Sequence, residues 1–293
     1  MAVFYNQATI SYNGNVTGSN IVTGEIIEVL SAEKNSLHET YSPDKHSVFV
    51  ISIVNTGNSD YTGLTVTDDL GAYDFGTPPV QLVPMNYVED SVMYYVNGNL
   101  QSAPNVTSEF PLTIEGINVP AGGNAVIIYE TAVNEYAPLS EDSEITNTAE
   151  ITGAGLAEAV TASATITPDN TPRLSISKSL CPATVPENGV INYSFIIQNF
   201  GTQPVTENDT VIFSDTFDPI LDIDTVTFNG NTWTATNDYT YSTSTGEFVS
   251  QTGKITVPPA QYVQNPETGE WTVQPGVSTL LISGNIFTSI EKT

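Results

Sequence analysis

Two lysines stand out because they occupy matching positions in a chain that has very few cations. The sequence has six Lys and Arg residues against 33 Asp and Glu residues, for a net charge of −27. Lys34 lies 21 residues before Asn55 of an NTG turn, and Lys178 lies 21 residues before Asn199 of an NFG turn. Both lysines alternate with apolar residues, so we expect each to lie on the inward face of a strand. A cation there is costly unless a partner meets it.

An acid and an amide recur at matching inward positions. TVTDDL aligns with VIFSDTF, which places Asp68 opposite Asp215. Asn147 lies in ITNTAEITGAG, and the chain opens on a similar string, FYNQATISYNG, with Asn6 in the place of Asn147. Alternation predicts that one face of this opening strand presents Phe4, Asn6, Ala8 and Ile10. The sequence therefore predicts a buried Lys–Asp–Asn triad in each of two units.

Such a triad can form a covalent bond. Burial lowers the pKa of a lysine and raises that of an aspartic acid. The neutral amine can then attack the Asn carboxamide while the acid transfers protons and ammonia leaves. The product is an isopeptide crosslink, formed once and without turnover. The candidate sets are Lys34, Asp68 and Asn147 within a subunit, and Lys178, Asp215 and Asn6 between subunits.

Two alternatives to these crosslinks stay open at the level of the sequence. The first is a buried Lys–Asp ion pair in which the Asn serves only as a hydrogen-bond partner. The second concerns the C-terminal set alone, because Asn285 in ISGNIF could compete for Lys178.

Composition argues against several other classes of function. The strongly acidic balance disfavours binding to nucleic acid or an anionic membrane, and no apolar run approaches the length of a membrane span. We find no phosphate loop, no Ser-His-Asp order and no cofactor fingerprint, so we expect no enzyme activity, no cofactor and no metal. Asp218, Asp222 and Asp224 could hold calcium, although solvated turns are the favoured interpretation. The single cysteine, Cys181, excludes a disulfide within the chain.

Strand signals dominate the sequence. Segments such as VFVISIVNTG, NAVIIYETAV and NYSFIIQNFG are short and rich in β-branched and aromatic residues, and turn residues bound them. Regular spacing without helical periodicity predicts an all-β chain of two tandem immunoglobulin-like antiparallel β-sandwiches.

Internal repeats set the predicted domains. VPAGGNAVIIYETAVNEY at 119–136 matches VQPGVSTLLISGNIFTSI at 273–290, in addition to the Lys, Asn and Asp positions above. The repeats predict an N-terminal arm at 1–27, a complete domain at 28–168 and an incomplete domain at 169–293. The last domain is incomplete because the second repeat has no counterpart of the final strands of the first, which start with ITNTAEIT. We expect the arm of one subunit to supply them to the next, a heterologous contact that makes an open filament.

The first repeat resembles a known family. AEKNS, YSPDK, VFVISIVNTG, LTVTDDL and ITNTAEIT are similar to the conserved repeat of bacterial surface proteins called domain of unknown function eleven, and the second repeat matches it through SISKS, VPENG, NYSFIIQNFG and VIFSDTF. Residues 1–20 have neither a basic nor a continuous apolar segment of a signal peptide. Together these features resemble the leaderless fibre subunits of clostridial spore appendages. The resemblance implies assembly in the mother cell and display on the spore or cell surface, and related immunoglobulin-like surface domains contain isopeptide bonds.

Two functional hypotheses follow. The first is a structural fibre subunit whose partner is a second copy of itself, head to tail, with any tip or anchor protein unknown. The second is a monomeric surface adhesin, which would need an exposed aromatic patch; the candidates are Trp233, Tyr239, Tyr241 and Trp271. An enzyme is a distant third.

Overall fold

A computed structural model describes residues 2–43, 45–187 and 189–286. Over these residues the chain forms strands and turns without a helix, which confirms the predicted all-β, tandem-sandwich class. The strands of the N-terminal part are β1 (Ala2–Asn6), β2 (Thr9–Tyr12), β3 (Asn15–Gly18), β4 (Val22–Ile26), β5 (Leu30–Ser36), β6 (Thr40–Tyr41), β7 (His46–Asn55), β8 (Tyr61–Asp68), β9 (Tyr73–Phe75), β10 (Val80–Leu82), β11 (Met85–Tyr87), β12 (Met93–Val96), β13 (Asn99–Leu100), β14 (Asn105–Glu109), β15 (Leu112–Val119), β16 (Asn124–Val133), β17 (Ile145–Thr152) and β18 (Val160–Pro168).

The C-terminal part continues the same pattern of short strands. Its strands are β19 (Leu174–Cys181), β20 (Val190–Asn199), β21 (Ser214–Thr216), β22 (Leu221–Phe228), β23 (Asn231–Thr232), β24 (Tyr239–Tyr241), β25 (Glu247–Ser250), β26 (Gln261–Gln264), β27 (Trp271–Gln274) and β28 (Gly276–Ile286).

The chain divides into two compact units. Unit 1 comprises the residues up to Pro138, Asp142–Pro168 and Pro266–Glu270, and unit 2 comprises Leu139–Glu141, Asp169–Asn265 and the residues from Trp271 onward.

Unit 1 contains two six-stranded sheets with a core between them. One sheet has the order β13-β12-β16-β7-β5, with β11 also paired to β16, and the other has the order β14-β15-β8-β17-β18-β6. The central strands alternate buried and less buried positions, as in β7 and β17, because each packs only one face against the core. The fully buried apolar side chains include Phe49, Ile51, Ile53, Val66, Ile114, Ile127, Tyr129 and Ile151.

Unit 2 repeats part of this arrangement. Its larger sheet has the order β19-β20-β28-β22-β23, and a smaller sheet has the order β21-β25-β24. In position, β19, β20 and β28 correspond to β5, β7 and β16, while β21 corresponds to β8. Within the described residues of unit 2, β21 is an edge strand, and no strand pairs with it as β17 pairs with β8 in unit 1.

Within unit 1 the N-terminal arm forms a two-stranded ribbon that is made of two short sheets. Its strand β1 pairs with β4, and β2 pairs with β3 across a turn at Asn13 and Gly14. Both turn residues have positive φ, 48° and 83°, which suits the tight two-residue hairpin turn. Apart from half-buried Gly24, the described side chains of the arm are exposed, including those of Ile10 and Tyr12 at 69% and 75%.

Candidate functional site

The lysine, the acid and the amide predicted for unit 1 all lie in its core. Lys34 on β5, Asp68 at the end of β8 and Asn147 on β17 are each 4% exposed or less. The Nζ atom of Lys34 lies 2.6 Å from Oδ2 of Asp68, and neither side chain is exposed. The other carboxylate oxygen, Oδ1, accepts a hydrogen bond from the backbone N–H of Leu70. Alternation along β5 and β17 therefore predicted the inward faces of both strands correctly.

A tyrosine that the sequence analysis missed joins these groups. The hydroxyl of Tyr129 on β16 donates to Oδ2 of Asp68 at 2.5 Å, and Nδ2 of Asn147 donates to the Tyr129 oxygen at 3.1 Å. The remaining amide oxygen of Asn147 is buried and has no hydrogen-bond partner in the described part of the chain. The four side chains thus form one hydrogen-bonded chain in the order Lys34, Asp68, Tyr129 and Asn147. The signal for Tyr129 was its place in VIIYETAV, two residues after the buried Ile127.

Burial changes the acid–base properties of this cluster. The pKa of Lys34 lies below its usual value because desolvation outweighs the attraction of Asp68 and Asp69. Desolvation, with the nearby Asp68 carboxylate, raises the pKa of Tyr129 well above that of a free tyrosine. Desolvation also raises the pKa of Asp69. A lowered pKa favours the neutral, nucleophilic form of the Lys34 amine, and Asn147 belongs to the same buried cluster through Tyr129 and Asp68.

The corresponding site of unit 2 contains the lysine and the acid in a more open setting. Lys178 on β19 lies 2.5 Å from Oδ2 of Asp215, and their side chains are 42% and 19% exposed. Its ammonium group also lies over three aromatic rings, at 4.8 Å from Tyr193 and 5.4 Å from both Phe195 and Phe217. Unit 1 has fewer such contacts, to Phe49 and Tyr129.

The face of β19 that carries Lys178 is uncovered, contrary to the expectation that it points into a core. Leu174, Ile176 and Leu180 share this face and are 42%, 55% and 45% exposed, whereas Leu30 on β5 is 5% exposed. In unit 1, β18 packs against β5 and turns Ala162, Ala164 and Ile166 inward. The described residues of unit 2 contain no equivalent of β18, which is the physical reason for the difference.

The predicted register between the last long strands of the two units was wrong by one residue. Tyr129 lies opposite Phe49, and Ile282 lies opposite Tyr193, so Ile282 and not Ser283 takes the place of Tyr129. The part of the match beyond residue 286 lies outside the described residues. Because Ile282 is buried, Asn285 falls on the opposite face of β28, and it does not face Lys178.

The residues predicted for the donated strand are all exposed on the arm. Phe4 and Asn6 lie in β1, Ala8 follows that strand, and Ile10 lies in β2. Asn6 is paired with Val22 of β4, and the Phe4 ring lies against Gly24, where a Cβ atom would meet it at 2.4 Å.

Two of the four aromatic side chains predicted for an adhesin's patch are buried, and the other two, Tyr241 and Trp271, are partly exposed. Trp233 and Tyr239 belong to the core of unit 2, where they stack on Phe228 and Phe248 at 5.1 and 4.7 Å. Tyr241 is only partly exposed, and its hydroxyl hydrogen-bonds the backbone of Leu221.

Neither a metal centre nor a membrane-spanning helix emerges from the described ranges. Within them, no group of three or more His, Cys, Asp or Glu side chains is placed to hold a metal ion. The same residues contain no helix with the length and apolarity needed to cross a bilayer. Cys181 is a free, exposed thiol.

Comparison with known proteins gives only distant structural likenesses. No family model matches the chain, and no curated protein matches it. The major pilin subunit of Bacillus cereus is 12% identical, with 93% of this chain and 66% of that chain covered and a TM-score of 0.36. The pilus backbone protein RrgB of Streptococcus pneumoniae is 10% identical, with 84% and 55% covered and a TM-score of 0.32.

A collagen adhesin from S. aureus is another partial likeness. It is 11% identical, with 52% of this chain and 55% of that chain covered and a TM-score of 0.31. The chain thus spans about half of the length of that adhesin. All three TM-scores lie below 0.5, so each protein is one that this chain resembles in part.

Proposed function

We propose that this chain is the structural subunit of a protein fibre on a spore or cell surface, without enzyme activity. Subunits polymerise head to tail when the N-terminal arm of one completes unit 2 of the next, by donor-strand complementation. One observation supports this above the others: within the described residues, β21 of unit 2 is an open edge where β8 of unit 1 has β17 beside it, and the arm repeats the sequence of β17.

The register of the donated strand follows from unit 1. There β17 pairs with β8 so that Ala149 lies opposite Asp68. Asn6 matches Asn147 and Asp215 matches Asp68, so Ala8 of the arm lies opposite Asp215 of the neighbour. This register brings Asn6 towards the Lys178–Asp215 pair, as β17 brings Asn147 into the buried cluster of Lys34, Asp68 and Tyr129. The donated strand also fills an open sheet edge, which would otherwise expose unpaired backbone groups.

Each triad closes an isopeptide bond under this proposal. The neutral amine of the lysine attacks Cγ of the asparagine, a new C–N bond forms, and the bond between Cγ and Nδ2 breaks. The aspartic acid moves one proton from the lysine nitrogen to the departing Nδ2, which leaves as ammonia. Lys34 and Asn147 crosslink unit 1, and Lys178 and Asn6 of the adjacent subunit lock the junction. Burial of Lys34 and its lowered pKa support the first reaction.

The test of polymerisation is the deletion of residues 1–12. We expect the truncated chain to stay monomeric by electron microscopy and light scattering, while the intact chain forms filaments. Normal filaments from the truncated chain would refute the proposal.

The test of the crosslink is separate. Filaments boiled in detergent should give a ladder on a denaturing gel, and Asn6→Ala should remove the ladder while filaments still form. Intact mass should also fall by one ammonia per bond. Monomers alone from boiled, intact filaments would refute the covalent junction and leave the noncovalent one standing.

A further inference from the structure

In unit 1 the consecutive strands β17 and β18 make different contacts. Strand β17 pairs with β8 and carries Asn147 to Tyr129, the hydrogen-bond partner of Asp68. Strand β18 pairs with the other side of β17, and it packs against β5, which carries Lys34. The first strand completes a sheet, and the second covers the lysine strand. Lys34 is enclosed only because both are present.

A single donated strand would therefore complete the sheet at β21 but leave β19 of unit 2 uncovered. A strand in the place of β17 would lie beside β21, next to Asp215. The apolar side chains of β19 at Leu174, Ile176 and Leu180 are exposed on the side that β18 covers in unit 1. Covering them requires a second strand.

The arm contains a match for that second strand. The segment VTGSNIVTG at 16–24 is similar to VTASATITP at 160–168, the sequence of β18. The identical positions are Val16 with Val160, Thr17 with Thr161, Ser19 with Ser163, and Thr23 with Thr167. The arm also already forms an antiparallel hairpin through β2 and β3, as β17 and β18 do.

The linkers agree with this match. Five residues, 169–173, join the end of β18 to the start of β19. Five residues, 25–29, likewise join Gly24 to Leu30, the start of β5. A unit completed by the arm is thus followed by the next unit after the same length of chain as within the subunit.

The charge of the arm suits an acidic acceptor. The chain has a net charge of −27, yet Glu25 is the only charged side chain among residues 1–27. An arm without a run of carboxylates can dock on a second copy of the chain without strong repulsion.

We infer that the arm is donated as a two-stranded hairpin: residues 4–11 pair with β21 of the neighbour, and residues 16–24 cover its β19. Every junction along the fibre, within a subunit or between subunits, then has the same construction. The inference rests on the proposed function, because it specifies how the donated arm occupies unit 2.

Hydrogen exchange of the full chain tests this directly. A solvent-exposed two-stranded ribbon is marginally stable, so the arm amides should exchange fast in the unassembled subunit. In filaments, peptides covering residues 4–11 and 16–24 should both become protected. Protection of residues 4–11 alone would overturn the two-strand inference and leave single-strand donation intact. Protection of neither segment would overturn the proposed function as well.

A matched pair of substitutions provides a second test. Val22 lies opposite Asn6 in the arm, so both side chains lie on the face that turns towards the neighbour's core, whereas Ile21 lies on the other face. Val22 and Ile21 are exposed in the free subunit, at 53% and 61%, so substituting either one should not affect the folding of the subunit. We expect Val22→Asp to abolish filaments and Ile21→Asp to leave them.

Other outcomes are equally decisive. Filaments from Val22→Asp would overturn the inference, and loss of filaments with both changes would overturn the assignment of faces on which it depends. The change Ile10→Asp tests the first strand separately, because Ile10 faces the acceptor in single-strand and hairpin donation alike. Filaments from both Ile10→Asp and Val22→Asp would sink the proposed function.

Discussion

Removing one oxygen atom from unit 1, by Tyr129→Phe, should destabilise the uncrosslinked form of that unit and slow the proposed crosslink. Both chains are compared before the bond forms, as judged by an intact mass without loss of ammonia. The hydroxyl donates to Oδ2 of Asp68 and accepts from Nδ2 of Asn147, and the side chain is fully buried. The phenyl ring can keep its stacking on Phe49, whose centroid lies 5.8 Å away. The Lys34–Asp68 ion pair is also retained. The variant therefore isolates the two hydrogen bonds.

The magnitude follows from those two bonds. A hydrogen bond to a charged group contributes about 1.5–3 kcal/mol, and a neutral one contributes about 0.5–1.5 kcal/mol. Asn147 would then have neither polar atom of its amide paired, since its Oδ1 already lacks a partner in the described chain. The two bonds share one network and are not strictly additive, so we expect a loss of about 2–4 kcal/mol in the unfolding free energy of unit 1.

The two units can be followed separately. Both tryptophans, Trp233 and Trp271, belong to unit 2, so their fluorescence reports its unfolding. Circular dichroism reports both units. In guanidinium, Tyr129→Phe should move the transition seen only by circular dichroism and leave the fluorescence transition in place. Tyr95→Phe is the matched control, because its exposed hydroxyl has only a 3.9 Å contact to Met93 Sδ. A shift below about 0.5 kcal/mol, no larger than a surface change, would refute the bridging role of Tyr129.

Three further outcomes are expected. In an Asn147→Ala chain, where no crosslink forms, Lys34→Met should cost unit 1 at least about 3 kcal/mol because Asp68 is left buried without its cation. Lys178→Met in the free subunit should cost less than about 1 kcal/mol, because that pair is half exposed. Equal losses would contradict the difference in burial. In an Asn147→Ala chain, whose Lys34 stays uncrosslinked, the stability of unit 1 should rise with pH between the lowered pKa of Lys34 and about pH 10. The slope is at most about 1.4 kcal/mol per pH unit, because the unfolded lysine holds its proton after the folded one has lost it. Lys34→Met should flatten this slope. Added salt should speed filament growth, measured by light scattering, because it screens the repulsion between chains of net charge −27. Growth that slows with salt would instead indicate that attractive ionic contacts hold the subunits together.

The candidate site shows how far alternation carries a prediction. Leu30, Ala32 and Lys34 follow a two-residue period, and Ile145, Asn147 and Ala149 do the same, so their inward faces could be deduced without a structure. The same period places Tyr129 on the buried face with Ile127, but it does not show that the hydroxyl reaches Asp68. The residue of unit 2 that takes its place was predicted wrongly, because the repeat alignment set Tyr129 opposite Ser283 and the structure sets it opposite Ile282. A one-residue slip moves every side chain of a strand to the other face.

The errors in unit 2 have a common cause. Sequence patterns show which face of β19 is apolar but not whether anything covers it, so Leu174 and Ile176 were expected in a core and are exposed. Trp233 and Tyr239 were candidates for an exposed patch under the adhesin hypothesis, yet they belong to the core of unit 2. Coverage depends on the packing of distant strands, and periodicity within one strand does not report it.

A disulfide trap between two different chains tests the central claim, that one subunit's arm enters the next subunit. Glu150 lies opposite Thr67 in unit 1, and the matching positions are Thr9 of the arm and Ser214 of unit 2, both exposed. Directly opposed residues of antiparallel strands lie within the distance a disulfide spans. One chain would contain Thr9→Cys and the other Ser214→Cys, both with Cys181→Ser, so that each has a single thiol. We expect a covalent heterodimer when the two are mixed under mild oxidation. No heterodimer in the mixture, with an internal disulfide in a monomeric chain that contains both substitutions, would contradict it.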